Sequence, residues 1–192
     1  SPELLGTPKL TEEQNILSMS CRTIAIAAAL SVLAFGSQLI AGCTNTLATQ
    51  YVDQGIEKYE AGNYHGAIAD YTKAVEIDPE ISSAYFNRGI IKDNLGNYQG
   101  AIDDYTKAIE IDSENASAYN NRGTNRGKLK DYQEAIADLN KAIEIDPEYA
   151  SAHLNRGLAK GLTNDLQGAC DDWRKAADLG EENAAEWVKE QC

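Results

Sequence analysis

Along most of the chain, apolar residues recur at steps of three and four, in pairs of short segments separated by a Gly or Asx breaker. The pairs themselves return every 34 residues: Tyr51–Ile77 (YVDQGIEKYEAGNYHGAIADYTKAVEI), Tyr85–Ile111 (YFNRGIIKDNLGNYQGAIDDYTKAIEI), Tyr119–Ile145 (YNNRGTNRGKLKDYQEAIADLNKAIEI) and, more divergent, His153–Leu179 (HLNRGLAKGLTNDLQGACDDWRKAADL). In the second copy Tyr85, Gly89 and Leu95 mark one helix, Gly96-Asn97 a turn, and Tyr98, Ala101, Ile102, Tyr105, Ala108 and Ile109 the next helix. Four ungapped copies at one period predict a stacked helical repeat, a solenoid that grows by adding units instead of enlarging one core. The predicted units are 48–81, 82–115, 116–149 and 150–183, followed by a capping helix at 184–192 carrying Ala184, Ala185, Trp187 and Val188.

The breakers fit that plan. An Asx residue precedes every second helix (Asn63, Asn97, Asp131, Asp165), where its side chain can accept from the unpaired N–H groups of the first turn. Gly62 and Gly96 supply the left-handed residue that ends a first helix, Asn164 can take the same conformation, and Lys130 is the awkward member. Asp78-Pro79 and Asp146-Pro147 close second helices, with Asp112-Ser113 and Gly180 in the other two copies. Small residues recur where helices must approach: Gly55, Gly89, Gly123 and Gly157, then Ala67, Ala101, Ala135 and Ala169.

Ahead of the repeats the pattern changes. Residues 1–18 are polar, with two prolines, and predict no stable structure. From Met19 a short positive segment and a long apolar run read as a signal peptide over 19–42, leaving a short linker at 43–47. Leu39-Ile40-Ala41-Gly42-Cys43 resembles the lipobox of bacterial lipoproteins. That resemblance implies cleavage before Cys43, lipidation of its thiol, and residence in a bacterial cell envelope on the periplasmic or lumenal side of a membrane. An uncleaved membrane span and a buried helix are the competing readings of the same apolar run.

Charge narrows the partners. The net charge is -13, and residues 1–42 contribute only Glu3, Glu12 and Glu13 against Lys9 and Arg22. An acidic repeat body argues against nucleic acid, whose binding needs Lys and Arg against phosphate, and against adhesion to anionic lipid. Solubility of the array is a sufficient reason for the charge, and a basic or neutral protein partner is allowed.

The repeats are similar to the tetratricopeptide family over residues 48–183, with Tyr, Gly, Tyr, Ala, Tyr, Ala and Pro at that family's spacing and His153, Leu166 and Trp173 as size-conserving changes in the last copy. The resemblance implies an all-α, right-handed solenoid whose first helices line a concave groove. Asn87, Asn121 and Asn155 fall at one equivalent position, with Asp53 in the first copy. In peptide-binding members of the family a matching asparagine ladder holds partner backbone, because a carboxamide can donate to and accept from one peptide unit. The implied groove neighbours are Val52, Ile56, Phe86, Ile90, Asn120, Thr124, Leu154 and Leu158. Apolar residues at Val52, Ile56, Phe86 and Ile90 replace the family's clamp for the carboxylate tails of heat-shock chaperones, which rejects that partner class. A structural reading, in which the asparagines only solvate the inner helices, stands beside the peptide-binding one.

Two further sets remain. Arg88, Arg122 and Arg156 follow the asparagines, Gln54 replaces them in the first copy, and Asp70, Asp104, Asp138 and Asp172 recur in the second helices. An arginine missing only where no repeat precedes predicts pairing across repeats: Arg88 with Asp70, Arg122 with Asp104, Arg156 with Asp138. Anion binding by an arginine row is the alternative. Cys170 replaces a core isoleucine and Cys192 ends the cap, so in an exported chain they can close a disulfide worth about 3 kcal/mol; otherwise they are buried thiols. No nucleophile–His–acid set, phosphate-cradling glycine loop or metal-ligand spacing is present, so no enzyme activity, metal or cofactor is expected. The expected role is a membrane-anchored scaffold that takes an extended peptide of a partner protein. An oligomerisation module and an accessory subunit of an envelope enzyme are the alternatives.

Overall fold

The computed structural model describes the backbone of residues 36–192 and side chains from residue 46 onward. The predicted leader and residues 19–35 of the signal segment lie outside the described residues. Those described form nine α-helices and no strand: α1 Gly36–Glu60, α2 Tyr64–Ile77, α3 Ser82–Asn94, α4 Tyr98–Ile111, α5 Ala116–Lys128, α6 Tyr132–Ile145, α7 Ala150–Leu162, α8 Leu166–Asp178 and α9 Glu182–Gln191. The result is an all-α helical repeat fold. Contacts group the chain into two compact units, one ending at Arg88 and one running Gly89–Cys192.

In the first unit α1 packs on α2, with Ala48, Val52, Ala67, Tyr71 and Ala74 fully buried. The linker expected at 43–47 is instead helical, part of α1. Nothing between Gly42 and the first repeat breaks a helix, so the first-repeat helix simply extends towards the N-terminus.

In the second unit successive helices pack pairwise from α4 to α9, and the two first helices α5 and α7 also touch each other. Close approach is enforced at Gly123, where an added Cβ would stand 3.0 Å from the Ala135 backbone carbonyl. A larger residue would have to push a helix apart.

The caps show which residues end the helices. Asn63, Asn97 and Asp165 accept from Gly66 N, Gly100 N and Gly168 N at 3.0, 3.1 and 2.9 Å. Asp131 makes no such bond. The difference lies three residues on, where the other copies have glycine and this one has Glu134. A Cβ at Gly66 would lie 2.5 Å from the Asn63 amide, so the glycine makes room for the capping side chain, and Glu134 takes that room away. First helices end at residues with positive φ: Gly62, Gly96, Asn164 and the predicted misfit Lys130 at 70°. Second helices end in a shared device that does not depend on proline: Asp78, Asp112 and Asp146 accept from the N–H two residues on at 3.0, 3.2 and 3.0 Å. Asp112 does this without a following proline, which explains why Ser113 is tolerated.

Candidate functional site

Each second helix buries one aspartate (Asp70, Asp104, Asp138, Asp172), and a buried carboxylate needs cations and hydrogen bonds around it. The predicted cross-repeat pairs are not what supplies them. Arg122 grips Asp138 of its own repeat in bidentate fashion, Nε to Oδ2 at 2.9 Å and Nη2 to Oδ1 at 2.7 Å, and leaves Asp104 to Lys92 at 2.7 Å. Arg156 likewise binds Asp172 and not Asp138. Asp70 is held by Lys58, and Arg88 donates to Thr72 at 3.0 Å. The arginines do reach the preceding repeat, but to a neutral acceptor: Arg88 to Thr72, Arg122 Nη1 to Thr106 at 3.1 Å, Arg156 Nη1 to Asn140 at 2.7 Å. Antiparallel packing within a repeat sets the carboxylate 16 residues ahead on the near face of the arginine. The position 16 residues back offers the hydroxyl or amide. One guanidinium therefore joins two second helices.

Among the described residues another cation recurs 12 residues before each aspartate, alone at Asp70 and beside the arginine at Asp138 and Asp172, and the sequence reading missed it. Lys58, Lys92, Arg126 and Lys160 meet Asp70, Asp104, Asp138 and Asp172, the last three at 2.7, 2.7 and 2.8 Å. Their recurrence at the 34-residue period was the available signal. Burial pushes the Asp172 carboxyl up, but bonds from Arg156 and Lys160 outweigh it and hold the group below the usual carboxylate range. His153, buried beside it, approaches Asp172 at 3.7 Å through Nδ1 and bonds the Pro147 carbonyl at 3.0 Å through Nε2. Arg122 and Arg156 each engage all three guanidinium nitrogens within these junctions, which makes them structural parts of the stack.

The expected groove residues divide into two kinds. Phe86, Asn87 and Ile90 are buried, which corrects their assignment to an open peptide face. Asn87 stands beside the buried Tyr71 phenol, whose ionisation is pushed up by burial while the amide acts in the opposite direction. Val52 is buried as well, and Ile56 is partly so. In the second unit Asn121, Thr124, Leu154 and Asn155 are half-exposed and Leu158 is exposed, while Asn120 is buried beneath them. Here the carboxamides are bonded in series. Asn120 Nδ2 donates to Asn121 Oδ1 at 3.2 Å, and Asn155 Nδ2 donates to Asn120 Oδ1 at 3.0 Å and to Thr124 Oγ1 at 3.2 Å. Among the described residues the series leaves the Asn121 N–H₂ without an acceptor and the Asn155 carbonyl oxygen without a donor. One donor and one acceptor are what a single peptide unit requires.

Cys170 and Cys192 form a disulfide with a Cα–Cα separation of 5.8 Å, joining α8 to the end of α9. Beside it Trp173 and Trp187 meet edge to face at 5.5 Å, over Ala169, Ala176 and Ala184. Cys43 falls within α1, and its side chain lies outside those described. Among the described residues no group of three or more His, Cys, Asp or Glu could hold a metal ion, and no helix is long and apolar enough to cross a membrane.

Comparison with known proteins agrees with this architecture. No curated protein matches the chain. Among solved structures it is similar to the MamA protein (26% identity, TM-score 0.71, covering 76% of this chain and 80% of that one). It is also similar to pilF of Pseudomonas aeruginosa (25% identity, TM-score 0.68, covering 77% and 68%). The first TPR of Spaghetti (RPAP3), solved with the HSP90 peptide SRMEEVD, matches at 26% identity and TM-score 0.55 over 57% of this chain and 88% of that one. Family descriptions match as "TPR repeat" over residues 55–92 and 128–163 and as "Tetratricopeptide repeat" over 82–115. Together these matches span just over half of the chain, which therefore belongs to the tetratricopeptide repeat family.

Proposed function

We propose that this protein-interaction scaffold binds an extended segment of a partner protein along α5 and α7. The observation that carries this reading is the asparagine series, which leaves one amide donor on Asn121 and one acceptor on Asn155 at half-exposed positions. A structural neighbour solved with a peptide, the first TPR of Spaghetti, supports the use of such a scaffold for peptides. Gripping rests on Asn121 and Asn155, because Asn87 is buried. In-cell crosslinking and pull-down should lose one partner when Asn121→Ala and Asn155→Ala are combined at unchanged helicity. Retention of every partner would refute the reading.

The scaffold works at a membrane, tethered by lipid on Cys43. Leu39-Ile40-Ala41-Gly42-Cys43 supports this, and so does the Cys170–Cys192 disulfide, which suits an oxidising compartment outside the cytosol. Metabolic labelling with a palmitate analogue should mark the protein, and Cys43→Ala should abolish both the label and recovery in the membrane fraction. Unlabelled protein that still sediments with membranes would contradict the lipid tether.

A further inference from the structure

The inner face does not stop at α7. Three of the four first helices carry a fully buried alanine as their third residue: Ala84 in α3, Ala118 in α5, Ala152 in α7. In α9 the third residue is Ala184, equally buried. Ala184 packs in one cluster with Leu154 of α7, and Ser151 at the start of α7 donates to Glu181, the residue before α9, at 3.0 Å. So α9 stands to α7 as a shortened first helix of a fifth unit. In that register the fifth and ninth residues, Asn120 and Thr124 in α5 and Leu154 and Leu158 in α7, become Glu186 and Glu190 in α9.

The C-terminal end of the face thus has two adjoining stripes. Leu154, Leu158 and Leu162 follow one another by single helical turns, and the last two are 38% and 62% exposed. Glu186 and Glu190 are exposed at the matching positions of α9, and neither has an ion-pair partner among the described residues. The disulfide pins the last turn of α9, which carries Glu190.

We propose that this end of the face binds a basic amphipathic segment of a partner protein, its large aliphatic side chains on Leu158 and Leu162 and its Lys or Arg on Glu186 and Glu190. Exposed leucines gain from burial, and carboxylates at the rim select the sign of the partner's charge. A segment ending in Asp or Glu would meet like charge here and be turned away. The inference rests on the groove reading proposed above and adds the chemistry of its occupant.

The test uses short synthetic peptides of Leu and Lys, with matched Leu–Glu and Ser–Lys versions, titrated against the 192-residue chain by fluorescence anisotropy at physiological ionic strength. The Leu–Lys peptide should bind best. Glu186→Lys with Glu190→Lys should weaken it about tenfold and improve the Leu–Glu peptide. Leu158→Ser with Leu162→Ser should weaken it comparably. A control with the same charge change on exposed loop residues, Glu114→Lys with Glu148→Lys, should shift affinity by less than about twofold. The inference is overturned if the two charge reversals act equally, since net charge alone would then explain binding, or if the Leu–Lys peptide does not bind. Helicity and tryptophan emission confirm that each variant is folded. If charge reversal is silent while Asn121→Ala with Asn155→Ala still loses the cellular partner, the groove reading stands and only this inference fails. If partner capture survives both sets of changes, both fail.

Discussion

The third repeat and the fourth share one plan and are held together very differently. In the third, α6 begins at an aspartate that makes no cap bond, and Lys130 sits at positive φ. In the fourth, Asp165 caps α8, Asn164 takes the left-handed position, and a disulfide and a tryptophan pair fasten the cap helix. Both keep the aspartate junction intact. The lesson is that the junction is what stacking requires, whereas caps and turns can be relaxed in one repeat if the neighbours are sound.

The largest test of that comparison removes the shared element. Asp138→Ala leaves Arg122 and Arg126 facing one another without their carboxylate and should cost about 3–5 kcal/mol, read as a lower urea midpoint. An unchanged midpoint would show that the junction is dispensable. Next comes the feature private to the fourth repeat. Reducing the disulfide, or replacing both cysteines by alanine, should cost about 3 kcal/mol. Because the only two tryptophans are Trp173 and Trp187, their emission reports this end of the chain directly. It should change at lower denaturant than helicity does.

A smaller effect is set by pH. The Asp172 carboxyl is held below its ordinary value, so its contribution is fully present above the unfolded value near about 4 and is lost as pH falls through the folded value. Tryptophan emission should therefore be steady above about pH 5 and drop on further acidification, and Asp172→Asn should flatten that acid limb. Smallest is a repair of the third repeat: Lys130→Gly, at a φ of 70°, should raise stability by about 1 kcal/mol, against less for Asn164→Gly. A loss of stability at residue 130 would mean that the lysine is held there by something other than its backbone.

The repeat, its helix boundaries and three of its four Asx caps could be read from spacing alone, because those depend on local chemistry that recurs unchanged. The arginine pairing could not. In a sequence of period 34, an aspartate 16 residues ahead and one 18 residues back are the same pattern, and only the ends of the array can tell them apart. At the first repeat, Gln54 reflects the missing Thr or Asn acceptor of a preceding repeat and not a missing carboxylate. Spacing also assigned Phe86, Asn87 and Ile90 to the inner face, yet a shared face is not an open one, and these side chains are buried. The register of α9 is not legible in the 34-residue period because α8 and the turn after it are each one residue shorter than their counterparts, which moves Glu186 and Glu190 off the repeat spacing.

The central claim is that partners are held on the inner positions of the first helices. A photo-crosslinking amino acid placed at exposed residue 158 and, separately, at exposed residue 137 on a second helix would test it in living cells. The account predicts one discrete crosslinked partner from position 158, absent from position 137. A partner captured from position 137 and not from 158 would contradict it and move the working surface to the second helices.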